Sequence, residues 1–296
     1  MPHICVLLCY SAIPLCIDKL FSYDTISERK KAVDLTKDEL KKGFEALGLH
    51  KGMKIMVHSS LSSFGYVEGG ADAVIDALME ILTEEGTLMM PSFNHEAPYN
   101  VGKIFDVRET PTTNGLIPDT FWRREGVFRS INPTHAFAAW GDKAQYYTED
   151  HQKTSAMGEG SPLDRLKKDG GYCLLLGVDY TRNTFHHHVE TMEGAPCLRT
   201  RGEEYPVRLA DGSEVMAHTW SWRNGFCPID DAAAYAPLMA AIDRKGKVGD
   251  AVCTLYKLSE GYEIIAKALH QGLEGALPCS RCLVRPRVCR WTVEEK

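Results

Sequence analysis

The sequence predicts an α/β protein with a mainly parallel central sheet, helices on both faces of that sheet and a smaller inserted β-containing region. Short apolar runs, such as YCLLLGV at residues 172–178, are typical of strands buried on both faces. They alternate with segments whose apolar residues recur at helical spacing, such as residues 71–82, and this alternation is the pattern of β-α-β units. With 296 residues, 44% of them hydrophobic, the chain can bury a full core.

The first half of the chain predicts helices and strands in alternation. A helix is expected over residues 34–46, with Thr36 as its N-cap and Glu39 as the second member of a capping box. An apolar strand follows at residues 53–58 and ends in the polar loop HSSLSSFGYVEGG. After the next helix, a Glu-Glu-Gly stop leads into a second buried strand, Thr87–Pro91. These elements form one β-α-β unit.

The second half continues the alternation and then changes character. Its predicted elements, in chain order, are a strand at residues 136–140, a helix at Pro162–Lys168, a strand at 172–178, a helix that starts near Thr184, short β-like pieces at 198–215 around an Asp211-Gly212 turn, and helix over 242–269. Ligand sites in such sheets lie beyond the carboxyl ends of the strands. The candidate functional residues are therefore sought there.

Charge and cysteine content narrow the classes of partner. The formal net charge of -6 provides no basic field that would attract nucleic acid, and a polycationic small molecule suits it better. Ten cysteines among 296 residues are too sparse for a disulfide scaffold. The sequence predicts a protein of the reducing cytoplasm that is a monomer or a homodimer.

Residues 34–272 are predicted to form one domain, and the two ends of the chain differ from it in composition. Residues 4–17 form an apolar run that no Lys or Arg precedes and that is too short to span a bilayer, so an extension at 1–33 packed on the body is expected, with a targeting role as the alternative. The tail at 273–296 holds Cys279, Cys282 and Cys289 among arginines. It is interpreted as an ordinary reduced tail or as a structural zinc site.

Two loops have residues suited to an anion. Residues 58–65 (HSSLSSFG) offer hydroxyls and loop amides that hold a phosphate or an amide chain, although a solvated loop has the same composition. Residues 158–162 (GEGSP) lead into a helix, where the amides face an anion or Ser161 simply caps the helix.

Two further segments contain histidine. In residues 183–190 (NTFHHHVE), His187 and Glu190 lie three apart on one helical face, so a carboxylate can orient an imidazole that removes a proton from an amine. Three consecutive histidines advance about 100° each around a helix and cannot all face one metal, so no metal is predicted. The alternative is a helix start packed on the sheet edge. For His135, which follows RSINPT, both a core role and a site role stay open.

These segments occur in an order that resembles the aminoglycoside 3-N-acetyltransferase family, which is distinct from the common GNAT-type acetyltransferases. The matching segments are VHSSLSSFG (57–65), GTLMMPSF (86–93), FDVRETP (105–111), TFWRREGVFRSINPTHAFAAWG (120–141), GEGSPL (158–163) and LLLGVDYTRNTFHHHVE (174–190). The resemblance is dense from Leu35 to Glu190 and weaker beyond.

The resemblance implies a resistance enzyme that acetylates the 3-amino group of an aminoglycoside antibiotic with acetyl-CoA as cosubstrate. It implies His187 and Glu190 as catalytic residues. The residues implied to bind acetyl-CoA are Ser59, Ser60, Leu61, Ser63, Gly65 and Thr184, with loop amides near Ser59 and Ser60 stabilising the oxyanion. The carboxylates expected to bind the polycationic acceptor are Glu96, Asp106, Asp230 and Asp231.

The chain departs from the family pattern at two places. Asn132 stands where family members usually have histidine before proline, so no catalytic part is assigned to it. Trp220 and Trp222 are expected to reshape the acceptor pocket. An acyltransferase that acts on a different amine and a non-enzymatic metal-binding or redox protein remain the alternatives.

Overall fold

The structure, a computed structural model, describes residues 35–96, 104–194, 203–219 and 236–271. The predicted N-terminal extension and the cysteine-rich tail lie outside the described residues. All described residues belong to one compact unit of the chain, Asp34–Lys296. Among them, no helix is long and apolar enough to cross a membrane.

The strands fall into two sheets. In chain order they are β1 (Lys54–Ser59), β2 (Thr87–Pro91), β3 (Phe105–Asp106), β4 (Phe128–Arg129), β5 (Phe137–Gly141), β6 (Tyr172–Leu176), β7 (Glu204–Arg208), β8 (Glu214–His218), β9 (Arg244–Val248) and β10 (Ala251–Lys257). The seven-stranded sheet has the order β4-β5-β2-β1-β6-β10-β9. Strand β1 lies at its centre, parallel to β2 and β6, while the outer pairings on both sides are antiparallel.

Helices cover both faces of this sheet. They are α1 (Lys37–Leu47), α2 (Gly70–Leu82), α3 (Leu116–Phe121), α4 (Ala144–Thr148), α5 (Pro162–Lys168), α6 (Phe185–Met192), α7 (Ala236–Met239) and α8 (Leu258–Gln271). Alternate residues of β1 enter different cores, as side-chain alternation along a strand requires. Ile55 and Val57 pack in the core formed with α1, α2 and α3, whereas Met56 packs in the core formed with α4, α5, α6 and α8. The predicted α/β class with two covered faces is confirmed.

Most predicted elements occur where the pattern placed them. The capping box of Thr36 and Glu39 forms at the start of α1. The strand predicted at Thr87–Pro91 and the helix predicted at Pro162–Lys168 have those bounds. The small sheet, with the order β3-β7-β8, contains the hairpin predicted around Asp211-Gly212. The smaller β-containing region is therefore confirmed as well.

The continuous helix predicted over residues 242–269 is wrong in its first half. Residues there form the hairpin of β9 and β10, and α8 begins only at Leu258. Gly249 adopts φ 57° at the turn between these strands. Val252 and Thr254 in β10 are β-branched and favour strand over helix. The helix was predicted because the spacing of the apolar residues was considered without the strand preference of these β-branched residues.

The close approach of β5 to β2 depends on Gly141. Its φ is 104°, and a Cβ at this position would lie 2.1 Å from the carbonyl oxygen of Gly86. We therefore expect Gly141→Ala to lower the free energy of unfolding by more than about 2 kcal/mol, because the backbone must shift as well as bear strain. Gly170→Ala is the control, since Gly170 has φ 74° and no heavy atom within 4 Å of the added Cβ. Urea denaturation measures both variants, and equal losses would contradict the role of the Gly86 contact.

Candidate functional site

A cavity of about 1400 Å³ opens beyond the carboxyl ends of β1 and β6. Its wall contains the loop that follows β1, the start of α2, the turn before α3, the segment that follows β6 and part of the β9–β10 hairpin. Parallel strands bring their carboxyl ends to one edge of a sheet, where the following loops build a ligand site. The cavity therefore lies where the topology of the central strands predicts a binding site.

The loop after β1 is held against the end of β6. The Ser60 amide donates to the Leu176 carbonyl at 2.9 Å, and the Ser63 hydroxyl donates to the Gly177 carbonyl at 2.7 Å. Gly177 has φ 63°, and a Cβ there would lie 2.4 Å from the Cβ of Ser63. Gly177 thus permits the close packing of this loop, a role that the sequence analysis missed although the glycine directly follows the apolar run LLL.

Five of the six residues expected to bind acetyl-CoA line the cavity, namely Ser59, Ser60, Leu61, Ser63 and Gly65. The sixth, Thr184, precedes α6 and donates its amide hydrogen to Nε2 of His58 at 3.4 Å. The Ser60 N–H is bonded to the Leu176 carbonyl, and the expected stabilisation of an oxyanion by loop amides near Ser59 and Ser60 stays a prediction. The GEGSP loop does not contribute to the cavity wall. Ser161 there is buried and caps α5 by accepting from the Asp164 amide, in agreement with the capping interpretation.

Two cationic side chains that the sequence analysis did not select also line the cavity, Arg182 and Lys245. The Lys245 ammonium lies 3.2 Å from the carboxylate of Asp243. Asp243 also accepts a hydrogen bond from Tyr180, whose phenol pKa is raised, chiefly by burial. This buried carboxylate tethers a half-exposed lysine at the cavity. The contact between Lys245 and Asp243 is local, whereas the bond between Tyr180 and Asp243 joins segments that are distant in sequence, so no local motif signals it.

Helix α6 follows the segment 178–182 that lines the cavity, although none of its own residues is in the cavity wall. It carries the three consecutive histidines, of which His187 keeps the most exposure. Its Nδ1 lies 2.8 Å from Oε2 of Glu190, and the Glu190 side chain is only 1% exposed. A carboxylate can only accept, so Nδ1–H is the donor and Nε2 keeps a lone pair. The i, i+3 spacing therefore yields an imidazole with a fixed tautomer and a basic nitrogen.

The other two histidines of α6 are held by main-chain carbonyl oxygens. His188 is fully buried, and its Nδ1 lies 2.7 Å from the Met157 carbonyl oxygen. Burial lowers the pKa of His188 to about 4. Nδ1 of His186 lies 2.7 Å from the Asn183 carbonyl oxygen, and its ring lies 3.8 Å from the ring of His187. His188 faces away from His187 as expected, whereas His186 turns toward it because the Asn183 contact holds its ring.

Two of the three histidines of α6 lie close to a carboxylate, a grouping that could hold a metal ion and that the spacing of the histidines alone did not predict. One ligand atom from each of His186, His187 and Glu190 lies within 4.8 Å of the others. Imidazole nitrogen and carboxylate oxygen are ligands that zinc uses. His188 does not belong to the group. The prediction that no metal binds accordingly stays a prediction, with a specific grouping against which to test it.

A second set of histidines follows β4 and β2. His135 is buried, its Nδ1 lies 2.8 Å from the Thr134 hydroxyl, and its ring lies 4.7 Å from the ring of His95. Burial lowers the pKa of His135 well below its usual range, and the nearby imidazoles of His95 and His187 lower it further. His135 thus lies near His187, and its surroundings disfavour the protonated form of its ring.

Asn132, where the family pattern has histidine, is a buried structural residue. Its Oδ1 accepts from the amides of Thr134 and His135 at 3.1 and 2.8 Å, and its Nδ2 donates to the His218 carbonyl at 3.2 Å. These bonds fix the turn before β5 and join it to β8. The exclusion of Asn132 from the catalytic candidates agrees with this geometry.

The expected acceptor carboxylates are not gathered in the cavity wall within the part of the chain that the structure describes. Glu96 is exposed at a chain turn, where its amide donates to Asn94. Oδ1 of Asp106 accepts from the amides of Arg108 and Glu109 at 2.8 and 3.2 Å, so this carboxylate closes a turn. The remaining two candidates, Asp230 and Asp231, lie outside the described residues, as do Trp220 and Trp222.

Arg129 holds the segment after β3 in place. Its guanidinium lies 4.1 Å from the ring centre of Trp122 and 4.6 Å from that of Phe105. It donates to the carbonyl oxygens of Thr110 at 2.7 Å and Ser92 at 3.2 Å, and burial lowers its pKa to about 9. An arginine stacked between aromatic rings and bonded to carbonyls fixes a loop. No role for this arginine was predictable from the sequence, because its partners come from separate segments of the chain.

Comparison with known proteins gives consistent findings. The sequence model of the family described as aminoglycoside 3-N-acetyltransferase matches residues 56–270. The chain is 34% identical over 255 residues to the SPbeta prophage-derived aminoglycoside N(3')-acetyltransferase-like protein YokD of Bacillus subtilis, covering 78% of this chain and 91% of YokD. It is 33% identical to aminoglycoside N(3)-acetyltransferase VII of Streptomyces paromomycinus, covering 75% of this chain and 87% of that protein. The solved structure of AAC-IIIb binary with CoASH superposes with a TM-score of 0.71 at 27% identity, covering 80% of this chain and 97% of AAC-IIIb.

Proposed function

The chain belongs to the aminoglycoside 3-N-acetyltransferase family, and on that premise we propose that it transfers the acetyl group of acetyl-CoA to the 3-amino group of an aminoglycoside. The observation that carries the proposal is the pairing of His187 with Glu190 at 2.8 Å on the helix that starts beside the cavity. This pair provides a basic imidazole nitrogen on a helix whose preceding segment lines a cavity large enough for a nucleotide-bearing cosubstrate. Such a protein is an antibiotic-resistance enzyme of the cytoplasm.

The cavity suits coenzyme A by its chemistry. The loop from Ser59 to Gly65 offers hydroxyl groups and amides along one wall, and such groups bind phosphate oxygens and the amides of pantetheine. Arg182 and Lys245 add positive charge on the wall formed by the segment after β6 and by β9. The related protein AAC-IIIb has been solved with CoASH, which supports the same ligand here.

The proposed reaction is a direct transfer without a covalent enzyme intermediate. Nε2 of His187 removes a proton from the acceptor amine while the amine nitrogen attacks the thioester carbonyl carbon. The carbonyl π electrons move to oxygen, and the tetrahedral intermediate then collapses with cleavage of the C–S bond. The proton held by His187 passes to the leaving thiolate, which departs as CoASH. Glu190 stabilises the imidazolium that exists between the two proton transfers.

Release of free thiol from acetyl-CoA in the presence of a panel of aminoglycosides tests this function. We expect thiol release that depends on both substrates and that saturates with each of them. Acetyl-CoA binding without release for any aminoglycoside, but with release for another amine, would favour the alternative acyltransferase. A failure of acetyl-CoA to bind at millimolar concentration would overturn the proposal.

The metal-binding alternative has one observation in its favour, the proximity of His186, His187 and Glu190. Elemental analysis of the purified protein tests it. Less than about 0.1 equivalent of any transition metal, together with full thiol release in the presence of a chelator, is the result that we expect. One equivalent of zinc that is lost in His186→Ala would contradict the proposed role of His187 as the general base.

A further inference from the structure

His58, the penultimate residue of β1, occupies a position between the cavity and the helix of His187. It is 4% exposed, and that exposure faces the cavity whose wall it helps to form. Its Nε2 accepts the amide hydrogen of Thr184, the residue before α6. The next residue, Ser59, begins the loop that follows β1. His58 therefore adjoins the loop proposed to bind acetyl-CoA on one side and the start of α6 on the other.

The contact with Thr184 fixes the tautomer of His58. A main-chain amide can only donate, so Nε2 must be the acceptor and the ring proton resides on Nδ1. Burial, and the nearby imidazole of His186, lower the pKa of His58 to about 3, which keeps the ring neutral. His58 is consequently a neutral imidazole whose Nδ1–H is a hydrogen-bond donor throughout the pH range in which enzymes work.

That donor has no acceptor in the part of the chain that the structure describes. Nδ1 makes no hydrogen bond there, and it is not among the fully enclosed polar atoms, so the cavity reaches it. The neighbouring Ser59 hydroxyl is enclosed and also lacks a hydrogen-bond partner among the described residues. An enclosed hydroxyl without a partner costs free energy, and the His58 N–H beside it is open to the cavity, so this strand end offers a donor to a ligand bound there.

We propose that the Nδ1–H of His58 donates a hydrogen bond to the carbonyl oxygen of the acetyl thioester and stabilises the oxyanion during transfer. The inference rests on the proposed function, in which acetyl-CoA is the acetyl donor and His187 is the base. The Ser60 amide, already bonded to Leu176, does not supply this hydrogen bond. His58 lines the cavity and also accepts from the Thr184 amide at the start of α6, the helix that carries His187.

The chemical step needs no additional reactant. As the acceptor nitrogen bonds to the carbonyl carbon, the π electron pair moves to the oxygen, and the His58 N–H bond strengthens its interaction with that charge without transferring its proton. When the C–S bond breaks, the pair returns to form the amide carbonyl. A neutral imidazole polarises a carbonyl in this way because its N–H remains a donor while its ring carries no charge to be solvated.

Two substitutions separate a donor role from a merely structural one. The amide nitrogen of asparagine and Nδ1 of histidine are both three bonds from Cα, so His58→Asn keeps a donor at that position. The terminal group of glutamine is four bonds from Cα, like Nε2, so His58→Gln keeps the acceptor for Thr184 and loses the donor. We expect kcat to fall roughly 10² to 10³-fold in His58→Gln and less than about tenfold in His58→Asn. The reverse order would overturn the proposal and assign His58 to capping α6.

An infrared measurement tests the contact without any acceptor. Difference spectra between acetyl-CoA and its carbonyl-¹³C form, bound to the whole protein, isolate the thioester C=O stretch. We expect this stretch at lower wavenumber in the wild type and in His58→Asn than in His58→Gln, with similar dissociation constants for all three. Binding with the same carbonyl frequency in all three proteins would overturn this inference and leave the proposed function standing. If acetyl-CoA does not bind to the wild type, both fail.

Discussion

Replacement of His187 by alanine is expected to lower kcat by roughly 10² to 10⁴, the usual contribution of general-base catalysis. The proposed base nitrogen is lost, while the loop after β1 that is proposed to bind the cosubstrate is untouched. The dissociation constant for acetyl-CoA should therefore change little. Steady-state kinetics with a saturating aminoglycoside, together with calorimetric titration of acetyl-CoA, measure both quantities. Raising the pH should partly rescue the variant, because more of the acceptor amine is then already deprotonated.

The matched control is the adjacent histidine. His188 is buried against Met157 and Lys167, on the side of α6 away from His187. His188→Ala is expected to destabilise the fold yet to leave kcat per folded molecule within about tenfold of the wild type. Near-normal kcat in His187→Ala, or a larger loss in His188→Ala, would contradict the assignment. His135, the neighbouring buried imidazole, would then become the candidate base.

Replacement of Glu190 by glutamine is expected to have the second largest effect. The glutamine amide fits the same buried space, but it can donate its own N–H to Nδ1 of His187. The ring proton then moves to Nε2, and the nitrogen that should accept the amine proton no longer has a free lone pair. We expect kcat to fall by at least about 10², in keeping with the large losses seen when a base is held in the wrong tautomer.

Glu193→Gln provides the control for this substitution. Glu193 lies three residues further along, where its carboxylate accepts from Tyr262 and lies 2.6 Å from Nε2 of His270. It has the same chemistry as Glu190 but no contact with His187. Activity close to that of the wild type is expected. Equal losses in the two variants would show that the helix as a whole, rather than the tautomer of His187, limits the reaction.

Local patterns predicted those elements whose determinants are local. The capping box of α1 and the five-residue strand β2 depend on neighbouring residues, and both form as expected. The β9–β10 hairpin was missed because its apolar residues also fit a helical period. Its assignment depends on the pairing of β10 with β6, which lies about eighty residues earlier in the chain. Periodicity contains no information on that pairing.

The same limit applies to the site. The contact of His187 with Glu190 follows from helix geometry and was predictable from a spacing of three. The hydrogen bond from Tyr180 to Asp243 joins the segment after β6 to the residue before β9, and the bond between His58 and Thr184 joins residues separated by 126 positions. Such contacts arise from the order of strands in the sheet. The sequence therefore predicted the contact of His187 with Glu190 and pointed to the loop that lines the cavity, but not the contacts between distant segments.

Transfer of the acetyl group of acetyl-CoA to the 3-amino group of an aminoglycoside is tested most directly by NMR spectroscopy of the product. The product is formed from an acceptor such as gentamicin and acetyl-CoA labelled with ¹³C in its acetyl group. The account predicts a single labelled amide, with through-bond correlations that place it on the nitrogen of carbon 3. Label on another nitrogen or on a hydroxyl oxygen, or the absence of labelled product from every aminoglycoside tried, would contradict it.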